Sequence, residues 1–243
     1  LRDEPDKVIK ITKHDQESRW ERTVLQSYLL DHPEAFEGFV KYYEVGPRHI
    51  ICERAHMTLR DMIHKAKGKV PREVALSIFR GILECLVPLH KVGFHRDLSD
   101  ANVVLWMDPR RKLITRVALI DLDKFTPLEF KYCPSIPGEV TTSNVRAPEC
   151  MVTMAMLNPK VDVYAATSLY RYMRGHQPNL RSDGAFECYQ ESDVRYLYRT
   201  QIRHKKQRIV SVGNVEDQLI YIQGLSLNPE LRYTAEDMLK ELQ

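Results

Sequence analysis

The sequence predicts an α+β fold, with a small mixed α+β unit over residues 1–54 and a mostly helical unit over residues 55–243. Three observations carry this. KVIKI (7–11) and RHIICERA (48–55) are β-branched and flank a segment with helical spacing. Residues 70–92 repeat apolar side chains at Val74, Ile78, Ile82, Leu83, Leu86 and Leu89, the stripe of a core helix. Two short apolar runs, NVVLW (102–106) and VALIDL (117–122), enclose the polar turn MDPRRKL and read as a β-hairpin.

Taken in order, KVIKI is a strand, ESRWERTVLQSYLL (17–30) a helix and RHIICERA the last strand of the first unit. The helix over 70–92 carries Pro88 near its end, which lacks an amide hydrogen and bends or loosens the last turn. After the hairpin, TPLEFKYCPSIPGEVTTSN (126–144) is too punctuated for a long helix and too long for a tight turn, and reads as a functional loop. VDVYAATSLYRYMR, VEDQLIYIQGLS and TAEDMLKELQ are helical. Thr234 is the expected N-cap of the last, with Asp237 in the acidic slot of a capping box.

With 43% hydrophobic and 28% charged residues in 243, the chain is of a globular class, able to bury a core as one domain or two lobes. A formal charge of +3 is too small to argue for nucleic acid or an anionic membrane as partner. Cys52, Cys85, Cys133, Cys150 and Cys188 show no C-x-x-C spacing, which excludes the usual zinc and thioredoxin patterns. No apolar run has the length of a membrane span, and the basic run RHKKQR (203–208) reads first as a solvated face.

The chemistry concentrates in HRDLSDAN (95–102). A carboxylate, Asp97, can take a proton from a hydroxyl, and a carboxamide oxygen, Asn102, is a hard ligand suited to Mg²⁺. The second hairpin strand adds Asp121. One base and two metal ligands around a point suit phosphoryl transfer, where positioning and charge neutralisation dominate.

In their order, HRDLSDAN, DLD, RAPE (146–149), DVYAATSLY (162–170) and NPELRYTAEDML (228–239) resemble the series of a eukaryotic protein kinase over roughly residues 7–243. The resemblance implies a bilobal fold with a reduced β-rich amino-terminal lobe of strand, helix and strand pair. It also implies ATP and Mg²⁺ as cofactors and a protein as substrate or regulated partner. By it, Asp97 is the catalytic base, Asn102 and Asp121 hold metal, and His95 with Leu122 joins the lobes through a hydrophobic spine. Arg96 faces a phosphate or acid of the activation loop, Glu149 pairs with Arg232, and Asp162 holds the catalytic-loop backbone. Lys10 reaches the α and β phosphates with Glu21 as its helix partner. A slip of register would put Lys7 or Lys13 in the place of Lys10, and Glu17 in that of Glu21. Glu53 and Ala55 offer backbone groups to adenine, with Cys52 at the gatekeeper place. Thr142 stands at the Ser/Thr-type position and Val145 at the Tyr position, while Thr141, Thr142, Ser135 and Ser143 are candidate phosphosites.

Three departures qualify the resemblance. No G-x-G-x-x-G precedes Lys10, Ser99 replaces the catalytic-loop Lys, and Asp123 replaces the Gly that follows the metal-binding Asp. Losing one such contact costs about two to three decades in rate, so a slow enzyme is expected. Either the Gly-rich loop has been cut away or the protein never had one; in the second case the chain is similar to the with-no-Gly-loop kinases and pseudokinases secreted by coccidian parasites, which would put it in a vacuole, where the cytoplasm is the default. A pseudokinase scaffold is the alternative reading. Small-molecule kinases of the aminoglycoside or choline type share a D-x-D-like site but lack RAPE and its Arg partner.

Overall fold

The computed structural model describes residues 4–11, 16–108, 110, 113–130, 145–151, 157–175, 215–226 and 228–243. Thr141, Thr142, Ser135, Ser143, Cys133, Cys188, Lys13 and the run 203–208 lie outside them.

The chain forms a β-rich amino-terminal region followed by a mostly helical carboxy-terminal one, a bilobal arrangement with a reduced first lobe. β1 (Lys7–Ile11), β2 (Tyr42–Val45) and β3 (His49–Glu53) make an antiparallel sheet in the order β1-β3-β2. Period-2 alternation sends Lys10 toward the helix side, whereas Ile9 and Ile11 are exposed on the other face. Against the sheet, at β2, lies α1 (Gln16–Gln26), and the short α2 (Tyr28–Asp31) packs on α1. The single helix expected over 17–30 is thus two: the apolar period runs on, but the backbone turns at Ser27. Pro33 then ends α2, because a residue before proline is driven out of the helical region and His32 sits at φ −138°.

β4 (Met57–Thr58) joins the hairpin of β6 (Val103–Asp108) and β7 (Leu113–Leu119) in the order β4-β6-β7. β7 stops at Leu119, which corrects the placing of Asp121 in the strand: apolar Ile120 and Leu122 extend the alternation, but Asp121 has φ +73° and leaves the sheet. α3 (Leu59–Lys65) begins with a capping box between Thr58 and Asp61. β5 (Gly93–Phe94) pairs with β8 (Thr126–Pro127), so the expected loop starts with two residues of strand.

The core is built on α4 (Arg72–Leu89), which runs through Pro88 and buries Ala75, Ile78, Phe79, Ile82, Leu83, Cys85, Leu86 and Leu89. It packs against β7, α5 (Lys160–Met173) and α7 (Ala235–Glu241), with α6 (Val215–Gly224) on α5. Gly81 has a packing reason: a Cβ there would meet Val117 Cγ2 at 2.6 Å, so glycine's cost in a helix, about 1 kcal/mol, permits the close approach of β7. Residues 38–40 are stitched to the end of β7 by Val40 N–H to Leu119 O (3.2 Å) and Leu119 N–H to Gly38 O (2.9 Å). This seam fixes the sheet to the hairpin beside the loop that carries Asp97.

Candidate active site

On α1, Glu21, Val24 and Leu25 follow i, i+3, i+4 spacing, which carries a carboxylate inward along with the apolar stripe. Lys10 Nζ lies 2.8 Å from Glu21 Oε2 and 2.7 Å from Asp121 Oδ1. Lys7 instead binds Glu4 and sits over the Tyr43 ring at 4.8 Å. Burial works to lower the Lys10 ammonium, but Asp121 and Glu21 outweigh it and the net shift is upward. Burial raises Glu21, with Lys10 opposing and Asp121 adding to the rise. One ammonium between two carboxylates leaves a net negative site.

The loop after β5 is held from behind. Asp162, 1% exposed, accepts His95 N–H at 2.7 Å and Arg96 N–H at 2.8 Å, and His90 Nε2 is 3.1 Å away. These bonds hold Arg96 at φ +68°, a left-handed conformation costing about 1–2 kcal/mol in a non-glycine residue. His95 is buried, shares a hydrogen bond with Ile120 O at 3.0 Å and stacks on Phe39.

Asn102 Nδ2 donates to Asp97 O at 2.9 Å, which leaves its Oδ1 as the atom able to face a cation. Ile120 N–H donates to Asn102 O, tying the loop to the approach to Asp121. Burial raises Asp97, His95 opposes, and Asp121 adds to the rise. Asp123 is pushed up to about 7 by burial and then by the charges of Asp121 and Asp97, and its buried Oδ1 has no hydrogen-bond partner among the described residues. Ser99 is buried, and its Oγ likewise has no partner among the described residues.

Among the described residues no three His, Cys, Asp or Glu side chains form a ready-made metal cage. The donors present still fit Mg²⁺: two hard side-chain oxygens, from Asn102 and Asp121, and close by a carboxylate oxygen of Asp123 that no described residue engages. Mg²⁺ keeps several waters and takes one or two carboxylates with phosphate oxygens rather than a full protein cage.

Glu53 N–H donates to Lys41 O at 2.8 Å, and its carboxylate binds Arg116 Nη1 at 2.8 Å. Ala55 and Cys52 pack on the cluster of Val40, Val104 and Ala118, an apolar floor beside Lys10's strand. Farther away, Arg232 is buried and its five N–H groups are all engaged: Glu149 at 2.6 and 3.1 Å, Lys160 O at 2.9 Å, and Ser226 O at 3.0 and 2.8 Å. Sequence reasoning missed Arg116, and it missed Trp20, whose indole N–H donates to Phe125 O at 2.8 Å. Neither contact has a local spacing that could announce it.

A β-rich lobe with a Lys–Glu pair, set over a helical lobe with a buried HRD-type loop, defines a kinase-like fold. Residues 6–242 match the family model for the protein kinase domain, and the chain belongs to that family. No curated protein matches the chain.

Proposed function

We propose that this chain is an atypical Ser/Thr protein kinase that transfers the γ-phosphate of ATP to a protein hydroxyl, slowly, with residues 1–54 as its nucleotide-facing lobe and 55–243 as its helical lobe. The observation that carries the reading is Lys10, held at 2.8 Å by Glu21 and 2.7 Å by Asp121. In this reading Lys10 takes the α and β phosphates, and Glu53 and Ala55 present backbone groups to adenine. Asn102 and Asp121 hold Mg²⁺, which when bound neutralises phosphate charge. Asp97 receives the proton of the substrate hydroxyl as its oxygen bonds to the γ-phosphorus and the bond to the ADP oxygen breaks. Ser99 brings no cation to the transferring group, which supports a slow rate.

The buried Ser99 Oγ, unpartnered among the described residues, and the extra carboxylate of Asp123 favour a second reading, a pseudokinase that binds and regulates a protein partner. Thermal melting with ATP, with and without Mg²⁺, separates the two. At a hundredfold excess over Kd, ligand binding stabilises by about 2.7 kcal/mol, or several degrees. The kinase reading expects a Mg²⁺-dependent shift that Asp121→Asn abolishes, followed by phosphotransfer that Asp97→Ala abolishes. No shift at millimolar ATP sinks it and leaves the scaffold.

A further inference from the structure

We infer that Trp20 is a positioning residue, tethering α1 to the segment that follows Asp121 so that Glu21 and Asp121 meet Lys10 together; the inference rests on the nucleotide role proposed for that site. Trp20 directly precedes Glu21, and Phe125 lies four residues after Asp121. The indole N–H donates to Phe125 O at 2.8 Å. A second strut runs alongside, with the Tyr28 hydroxyl donating to Glu129 at 2.7 Å. Burial and then the Glu129 carboxylate push that phenol up to about 12, so it stays a donor through the neutral range.

Between the two struts the rings interlock. Trp20 meets Tyr28 edge-on at 6.4 Å, and Tyr28 meets Phe125 at 5.5 Å. Phe125 is 2% exposed and packs on Phe36 at 5.7 Å, so the carbonyl that Trp20 holds belongs to a residue fixed in the core. Its amide donates to Leu122 O at 3.1 Å, closing a turn that begins one residue after Asp121. The chain from Glu21 through Trp20 and Phe125 to Asp121 is therefore a closed loop of short contacts around Lys10 Nζ. Moving α1 outward breaks the Trp20 bond and the Lys10–Glu21 pair together.

Trp20→Phe removes the donor and keeps a ring. MgATP affinity would be measured by calorimetry in a double-mutant cycle with Glu21→Gln, folding being checked by circular dichroism. Trp20→Phe alone should weaken MgATP about three- to tenfold, the worth of one hydrogen bond, and much less when Glu21 is already Gln. No weakening, or equal weakening in both backgrounds, overturns the inference, because a role in general stability does not depend on Glu21. If wild type binds no MgATP, the proposed function fails, and amide exchange on the free protein still decides the tether. Trp20→Phe should then speed exchange over residues 21–26 and 122–125 and leave α5 unchanged. Unaltered or uniformly faster exchange overturns it.

Discussion

Two ion pairs, one in each lobe, are built on opposite terms. Arg232 is 0% exposed, and its partner Glu149 11%. Lys10 is 43% exposed, and it divides itself between a buried Glu21 and a half-open Asp121. The guanidinium has every donor engaged at a fixed angle, so it has no second arrangement to adopt. The ammonium is a point charge on a flexible stem, and its exposed side can meet a further anion while Glu21 stays buried behind it. A closed pair anchors a chain; an open one can greet a ligand.

The largest effect tests the closed pair. Arg232→Met leaves Glu149 buried without its cation and strips Lys160 O and Ser226 O of donors, and should cost about 3–5 kcal/mol in urea unfolding. Adding Glu149→Gln should return part of that loss, because the uncompensated charge is then gone. A loss under about 1 kcal/mol for Arg232→Met would erase the contrast between the two pairs.

Lys10→Met tests the open pair, with an expected cost of about 1–3 kcal/mol, set by buried Glu21 and reduced by the solvent screening of Lys10. The pH dependence has a definite sign. Burial already raises Glu21 above its unfolded value near 4.3, so the folded state binds the proton more tightly and stability falls as pH rises through the interval between the two values. Without Lys10 that interval widens upward, so the cost of Lys10→Met should be small in acid and grow toward neutrality. A cost independent of pH would mean that Glu21 finds another partner. MgATP affinity should fall by more than tenfold, which Arg232→Met need not cause in the protein that remains folded.

These contrasts show what a one-dimensional reading reaches. The loop from His95 to Asn102 is legible because its residues sit at fixed short spacings, and Glu149, Asp162 and Arg232 are legible only through the ordered resemblance. Contacts such as Arg116 to Glu53 and Trp20 to Phe125 join residues 63 and 105 positions apart, one of them through a backbone carbonyl that any residue offers. Nothing in composition or period marks them. The same limit explains two of the boundary errors. Hydrophobic period passes straight through Ser27 and on to Leu122, whereas the backbone turns at Ser27 and flips to positive φ at Asp121. Period reports which face is apolar, and the torsions that end an element are set by neighbours the period does not contain.

The smallest effect sharpens the comparison from beside the closed pair. Thr234 stands two residues after Arg232 and caps α7: its hydroxyl accepts Asp237 N–H at 3.1 Å, and Asp237 Oδ2 accepts Thr234 N–H at 3.1 Å. The side-chain and backbone hydrogen bonds from Thr234 hold the Asp237 carboxyl below its ordinary value. A lowered carboxyl contributes stability that is complete above about 3.9 and is lost as pH falls through its folded value. Thr234→Ala should therefore cost about 1 kcal/mol at neutral pH and flatten the acid limb of the stability curve, with MgATP affinity unchanged. Proximity to Arg232 would make the loss several times larger if place in the chain governed it. Exposure governs it instead, because water is ready to replace the lost bond at Thr234 and is shut out at Arg232.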